Sequence, residues 1–146
     1  ALGRIWNGTI VPLEPESLAR EADVVFLALP DTAAAELAGR FADAGVRVID
    51  LSGAFRLRDA ALRARWYPET HTLPASLAYG LTEWAREEVR QAQVVANPGC
   101  YPTAALLALK PLVTAGVLRP GADVIIDAKS GVSGAGKTPS ERTHFS

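Results

Sequence analysis

Apolar residues in this chain collect in short continuous runs, separated by stretches whose apolar positions recur with helical period. Asp23 to Leu29 contains one such run, closed by Pro30, and suits a strand buried in a parallel sheet. Val46 to Leu51 predicts a second strand, Val94 to Ala96 a third and Val124 to Ala128 a fourth. A helix over Ala33 to Ala44 separates the first two, with Asp31 or Thr32 as its cap and Gly45 at its end. Glu16 to Ala22 predicts a short helix after Pro15, while residues 1–15 are turn-rich and define no element. Between the second and third strands come a charged helical stretch near Asp59 to Trp66, an irregular Pro/His segment from Tyr67 to Pro74 and a helix near Glu83 to Gln91. Another helix follows Cys100 to about Ala115, bent or broken near Pro111 and closed by Gly116.

Strands alternating with helices define an α/β fold, with a parallel sheet joined by right-handed crossovers. Ligands of such sheets sit beyond the carboxyl ends of the strands. Pro30-Asp31, Ser52-Gly53, Asn97 to Cys100 and Ser130 to Gly136 all fall at such ends, so the candidate chemistry shares one edge. No internal repeat or low-complexity segment interrupts the pattern.

Composition narrows the function classes. The 146 residues are 49% hydrophobic and 21% charged, which fits a globular domain and argues against disorder. With 15 basic and 16 acidic residues the net charge is −1, so no whole-chain field recruits nucleic acid or an anionic membrane. No apolar run approaches the roughly 20 residues of a membrane span, and no signal peptide opens the chain. A single cysteine makes no internal disulfide, which favours a cytoplasmic location, and His71, His144 and Cys100 lack metal-ligand spacing. With no methionine and abrupt ends, the chain reads as an interior piece of a longer protein.

The most informative stretch surrounds that cysteine. The run Val94 to Ala96 ends in Asn97-Pro98-Gly99, a turn sequence, and Cys100 follows at once. Pro102 suits the first turn of the Ala/Leu-rich helix beyond it. A thiol at a helix mouth faces unpaired N–H groups and a positive dipole end, which favour a thiolate and hold an oxyanion. Cys100 is therefore a candidate nucleophile toward a carbonyl carbon, against the alternative of a small buried hydrophobe.

Asn97-Pro98-Gly99-Cys100-Tyr101-Pro102-Thr103-Ala104 resembles the active-site segment of the N-acetyl-γ-glutamyl-phosphate reductase family. Val25 to Pro30, Asp50 to Leu57, Tyr79 to Glu83 and Ser130 to Lys137 agree with that family in order and approximate spacing. The resemblance runs from about Asp23 to the C-terminus. It implies a Rossmann-like nucleotide-binding domain, incomplete here, over residues 1–97. Residues 98–146 would begin a glyceraldehyde-3-phosphate-dehydrogenase-like α+β catalytic domain. The implied activity is NADPH-dependent reduction of an acyl phosphate to a semialdehyde through a thioester on Cys100. Asn97, Gly99 and Tyr101 would position substrate or oxyanion, and Leu29, Pro30, Ser52, Ser133 and Gly134 would meet NADP(H). The family's Gly-rich dinucleotide fingerprint has no match in the chain, and its general acid/base histidine maps beyond Ser146, so His144 is not given that role. The expected partners are a small-molecule substrate and further copies of the chain.

Rival readings stay open. Gly131 to Thr138 fits the phosphate-loop pattern G-x-x-x-x-G-K-[ST] at every fixed position and follows a plausible strand, which suggests a nucleotide triphosphate. Pro139 directly after it disfavours the helix such a loop feeds, and Asp50 lies upstream of the loop, the reverse of the usual order. Carrier-protein-linked aminoadipyl or glutamyl phosphate reductases share much of the pattern, and aspartate-semialdehyde dehydrogenase shares the chemistry. Arg56 and Arg58 can meet phosphate or carboxylate, or be solvated or salt-bridged. Glu83 reads as a first-turn carboxylate, and His71 has no evident partner.

Overall fold

A computed structural model describes residues 8–129 and 131. They divide into two compact units, 1–99 and 100–146.

In the first unit four parallel strands form one sheet. Elements follow the order α1 (Pro15–Glu21), β1 (Val24–Leu27), α2 (Asp31–Asp43), β2 (Arg47–Asp50), α3 (Ala60–Trp66), β3 (Leu77–Tyr79), α4 (Thr82–Gln91) and β4 (Val94–Ala96). The spatial order is β1-β2-β4-β3, with Val25 beside Val48, Val48 beside Val94 and Leu77 beside Val94. Stepping from β1 to β2 and back from β3 to β4 reverses direction, so right-handed crossovers put α2 and α4 on opposite faces. The packing agrees. Val25, Leu27, Val48, Val94 and Ala96 pack with Ala34, Ala38 and Phe41 of α2, while Ala78 and Val95 pack with Val89 of α4 and Ala92 at its end. Period-two alternation along β1 leaves Val24 and Phe26 exposed on the second face, which accounts for an apolar run that is only half buried.

Helix ends follow local chemistry in part. Gly45, with φ of 84°, stops α2 as expected, and Asp59 caps α3 by accepting from the Leu62 N–H at 2.8 Å. The expected caps of α2 do not form. Asp31 is the first helical residue, Pro30 occupies the cap position, and the Asp31 carboxylate turns away to another loop.

The second unit is described through α5 (Cys100–Thr114) and the chain that follows it. Pro111 lies inside this helix, which continues to Thr114 rather than breaking, and Gly116 follows with φ of 69°. The strand expected over Val124 to Ala128 is irregular chain, and Ile125 is 93% exposed. Apolar composition alone makes no strand. A ladder partner is required, and this run has none among the described residues. The sheet's fourth member is instead Leu77–Tyr79, whose three residues are too few to show a period.

Candidate active site

Because the strands are parallel, the chain leaves them all at one edge, and three of these exits hold candidate residues. Leu29 and Pro30 follow β1, Ser52 and Gly53 follow β2, and Asn97 to Gly99 follow β4. The strand order puts β4 between β2 and β3, so the Asn97 turn is flanked by the exits of those two strands.

The β2 exit is clamped by carboxylates. Asp50 shares a register position with Leu27 and Ala96 and is fully buried. It accepts from the Ser52 N–H and the Ser52 hydroxyl, each at 2.9 Å. Burial pushes the Asp50 carboxyl above its ordinary value, while those two hydrogen bonds and nearby Arg56 oppose the rise. The Ser52 hydroxyl also accepts from the Ala54 N–H at 3.1 Å. Asp31 reaches across from α2 to accept from the Gly53 N–H at 2.6 Å. A Cβ at Gly53 would lie 2.2 Å from Cε1 of Tyr67, so any larger residue there would displace that ring.

The β4 exit is held from both sides. The Asn97 N–H donates to the Asp50 carbonyl at 2.8 Å, and its side-chain amide donates to the Pro98 carbonyl at 3.2 Å. Gly80 leaves β3 with its N–H on the Ala96 carbonyl at 2.8 Å. A Cβ on Gly80 would meet Val95 Cγ1 at 2.9 Å and the Ala96 carbonyl at 3.2 Å. Arg56 donates to the Asn97 carbonyl at 2.9 Å and to the Leu51 carbonyl at 3.0 Å. Burial raises the Tyr79 phenol, again opposed by Arg56.

Cys100 follows this turn as the first residue of α5. It is exposed and its thiol is free. Tyr101 beside it is 44% exposed.

Comparison with known proteins matches these elements in order. The family model described as "Semialdehyde dehydrogenase, NAD binding domain" fits residues 3–92, and "Semialdehyde dehydrogenase, dimerisation domain" fits residues 100–146. The chain belongs to the semialdehyde dehydrogenase family. Among its curated relatives are proteins named N-acetyl-gamma-glutamyl-phosphate reductase from Bacillus cereus (strain AH187), Bacillus anthracis and Bacillus thuringiensis subsp. konkukian (strain 97-27). The B. cereus and B. anthracis proteins are each 47% identical to it over 140 residues, 94% of this chain. The chain spans 40% of the length of these relatives.

Only some of the residues expected at the site are among the described ones. Leu29, Pro30, Ser52, Asn97 and Gly99 all lie at strand exits on the one edge. Ser133 and Gly134 lie outside the described residues, as do Lys137, most of the phosphate-loop pattern and His144. The dimerisation-domain match takes in that whole loop. His71 is exposed in irregular chain, and Glu83 lies in the first turn of α4, where its carboxylate accepts from the Thr82 hydroxyl. Sequence reasoning missed four contributors: Asp31 as a loop clamp, Arg56 as a bridge, Tyr67 over Gly53, and Gly80. Only Gly80 carried a usable signal, a glycine just after an apolar pair.

Proposed function

We propose that the complete protein carrying this chain reduces N-acetyl-γ-glutamyl phosphate to N-acetylglutamate 5-semialdehyde and phosphate, using NADPH, as a step of arginine biosynthesis. The relatives' shared name, at 47% identity over 94% of the chain, carries this reading. The exposed thiol of Cys100, directly after a turn braced on two sides, supports it from geometry. In this proposal residues 1–97 belong to the nucleotide domain and residues 98–146 begin the catalytic domain.

Cys100 Sγ attacks the acyl carbon. A C–S bond forms as the C–O bond to phosphate breaks, and phosphate departs with the electron pair. The resulting thioester is a better hydride acceptor than a carboxylate. NADPH, when bound, supplies the hydride that brings the acyl carbon to the aldehyde level. Release of the semialdehyde returns the sulfur to Cys100. Asn97, Gly99 and Tyr101 are assigned to positioning substrate and oxyanion.

Leu29, Pro30, Ser52, Ser133 and Gly134 are assigned to the cofactor. Leu29 and Pro30 follow β1 and exposed Leu51 follows β2 at the same sheet edge, which supports an apolar contact to the cofactor. Ser52 has its hydroxyl engaged with Asp50 and Ala54, so it shapes the turn rather than offering a side-chain donor. The dimerisation-domain match supports a homo-oligomer. Among the described residues no helix is long and apolar enough to cross a membrane. With one cysteine in the sequence, a reducing cytoplasm suits the reactive thiol.

The deciding experiment is a thioester trap on the complete protein, mixed with N-acetyl-γ-glutamyl phosphate without cofactor and read by mass spectrometry. An acyl adduct on Cys100 is expected. A folded protein that forms none would refute the reading.

A further inference from the structure

Two turns at the carboxyl edge are joined by one side chain. The last ladder bond between β2 and β4 is that from the Asn97 N–H to the Asp50 carbonyl. Beyond it Arg56 carries the connection, with Nε on the Asn97 carbonyl at 2.9 Å and Nη2 on the Leu51 carbonyl at 3.0 Å. Both acceptors are backbone. A planar fork of donors on two carbonyls fixes their separation and orientation, which a flexible ammonium on one carbonyl does not. Leu51 leads straight into Ser52-Gly53, and Asn97 leads through Pro98-Gly99 into Cys100.

The remaining supports act within single turns or from other elements. Asp50 and Asp31 hold the Ser52-Gly53 turn, while Gly80 and the Asn97 amide steady the Asn97 turn. Arg58, two residues on, donates to the Leu77 carbonyl and so serves β3.

We infer that Arg56 is a positioning residue for the Cys100 chemistry, holding the Asn97-to-Gly99 turn in register with the Leu51-to-Gly53 turn. The inference rests on the proposed acyl-phosphate reaction. It assigns Arg56 to the protein's own backbone rather than to the substrate's anionic groups. The kinetic signature follows from that assignment. A brace alters the geometry of the reacting groups and lowers kcat, whereas a substrate contact shows chiefly in KM.

The test uses the complete protein and phosphate-dependent oxidation of the semialdehyde with NADP+, for wild type, Arg56→Gln and Arg56→Lys. We expect Arg56→Gln to lose roughly 100-fold in kcat, the order of effect of an ångström-scale misplacement. KM for aldehyde and phosphate, and the Kd for NADPH, should stay within about threefold, because only positioning is lost. Arg56→Lys keeps the charge and reaches one carbonyl, so its kcat should fall between the other two. Should the Gln variant fail to fold, the Lys variant carries the same kcat-against-KM comparison. Unchanged kcat in the variants overturns the inference, and so does a rise in KM at constant kcat. Wild-type protein inactive on this aldehyde would instead sink the proposed function, so the two failures are distinguishable.

Discussion

At the carboxyl edge of the sheet, polar groups close on one another, whereas at the amino edge one is left over. Asp50, Ser52, Asp31 and Arg56 tie three turns together with hydrogen bonds of 2.6 to 3.0 Å, and Gly53 and Gly80 let neighbouring groups approach. Near the amino ends of β3 and β4 the backbone is equally well paired. The Gln93 N–H reaches the Ser76 hydroxyl, and the Gln93 carbonyl accepts from Val48. Yet Gln93 Nε2 is buried without a partner among the described residues, beside a cavity of about 290 Å³ also lined by Ala42 and Ser76. Burying a carboxylate such as Asp50 is unfavourable unless its lone pairs are satisfied. The fold carries that cost at the edge where turn geometry matters for chemistry, and tolerates a loose end where it does not.

The largest expected effect tests whether chemistry belongs to the carboxyl edge at all. Cys100→Ser in the complete protein should cut turnover by roughly 10⁴-fold or more, as loss of a nucleophile does, while NADPH still binds. Assays of phosphate-dependent aldehyde oxidation beside NADPH titration read both quantities. Retained turnover would remove Cys100 from the mechanism.

Close approach at that edge comes next. Gly80→Ala places a methyl against Val95 and the Ala96 carbonyl and should cost about 1–3 kcal/mol by overpacking. Denaturant unfolding measures this, and a neutral result would mean that the β3 exit yields freely.

The buried carboxylate offers a subtler handle. Burial raises the folded-state value of Asp50 above its unfolded one. Its favourable contribution is therefore fully present below the unfolded pKa and is lost as pH rises through the folded one. The stability of wild type relative to Asp50→Asn should accordingly grow as pH falls from 7 toward 4. Paired thermal melts across that range check the sign, and the opposite slope would mean that the Ser52 and Arg56 interactions outweigh burial.

Smallest is the amino edge. Gln93→Leu removes an unpaired buried donor while leaving the backbone bonds in place, so stability should change by less than about 1 kcal/mol, in either direction. A loss beyond about 2 kcal/mol would reveal a hidden partner and erase the contrast between the edges.

Much of this was legible in the residues themselves. The apolar runs around Val25, Val48 and Val94 marked three of the four strands, and Gly45 marked the end of α2. Parallel pairing then followed from the alternation with helices, and one shared edge for Pro30, Ser52 and Asn97 followed from parallel pairing. The cysteine turn was visible because Asn-Pro-Gly-Cys-Tyr-Pro is locally decisive: proline and glycine set φ whatever surrounds them.

What tertiary structure alone decided was which groups meet across the chain. Asp31 looked like a cap and became a clamp on Gly53, 22 residues away. Arg56 could meet an anion, solvent or a salt-bridge partner by its sequence, and became a bridge to the Asn97 carbonyl, 41 residues away. Val124 to Ala128 had the composition of a strand but joins no ladder among the described residues, while Leu77–Tyr79, too short to announce itself, found one beside β4. The physical reason is common to all of them. Turn chemistry and apolar period act over a few neighbouring residues, so the sequence carries them directly. A ladder bond or a side-chain bridge needs both partners placed, and that placement exists only once the sheet has assembled.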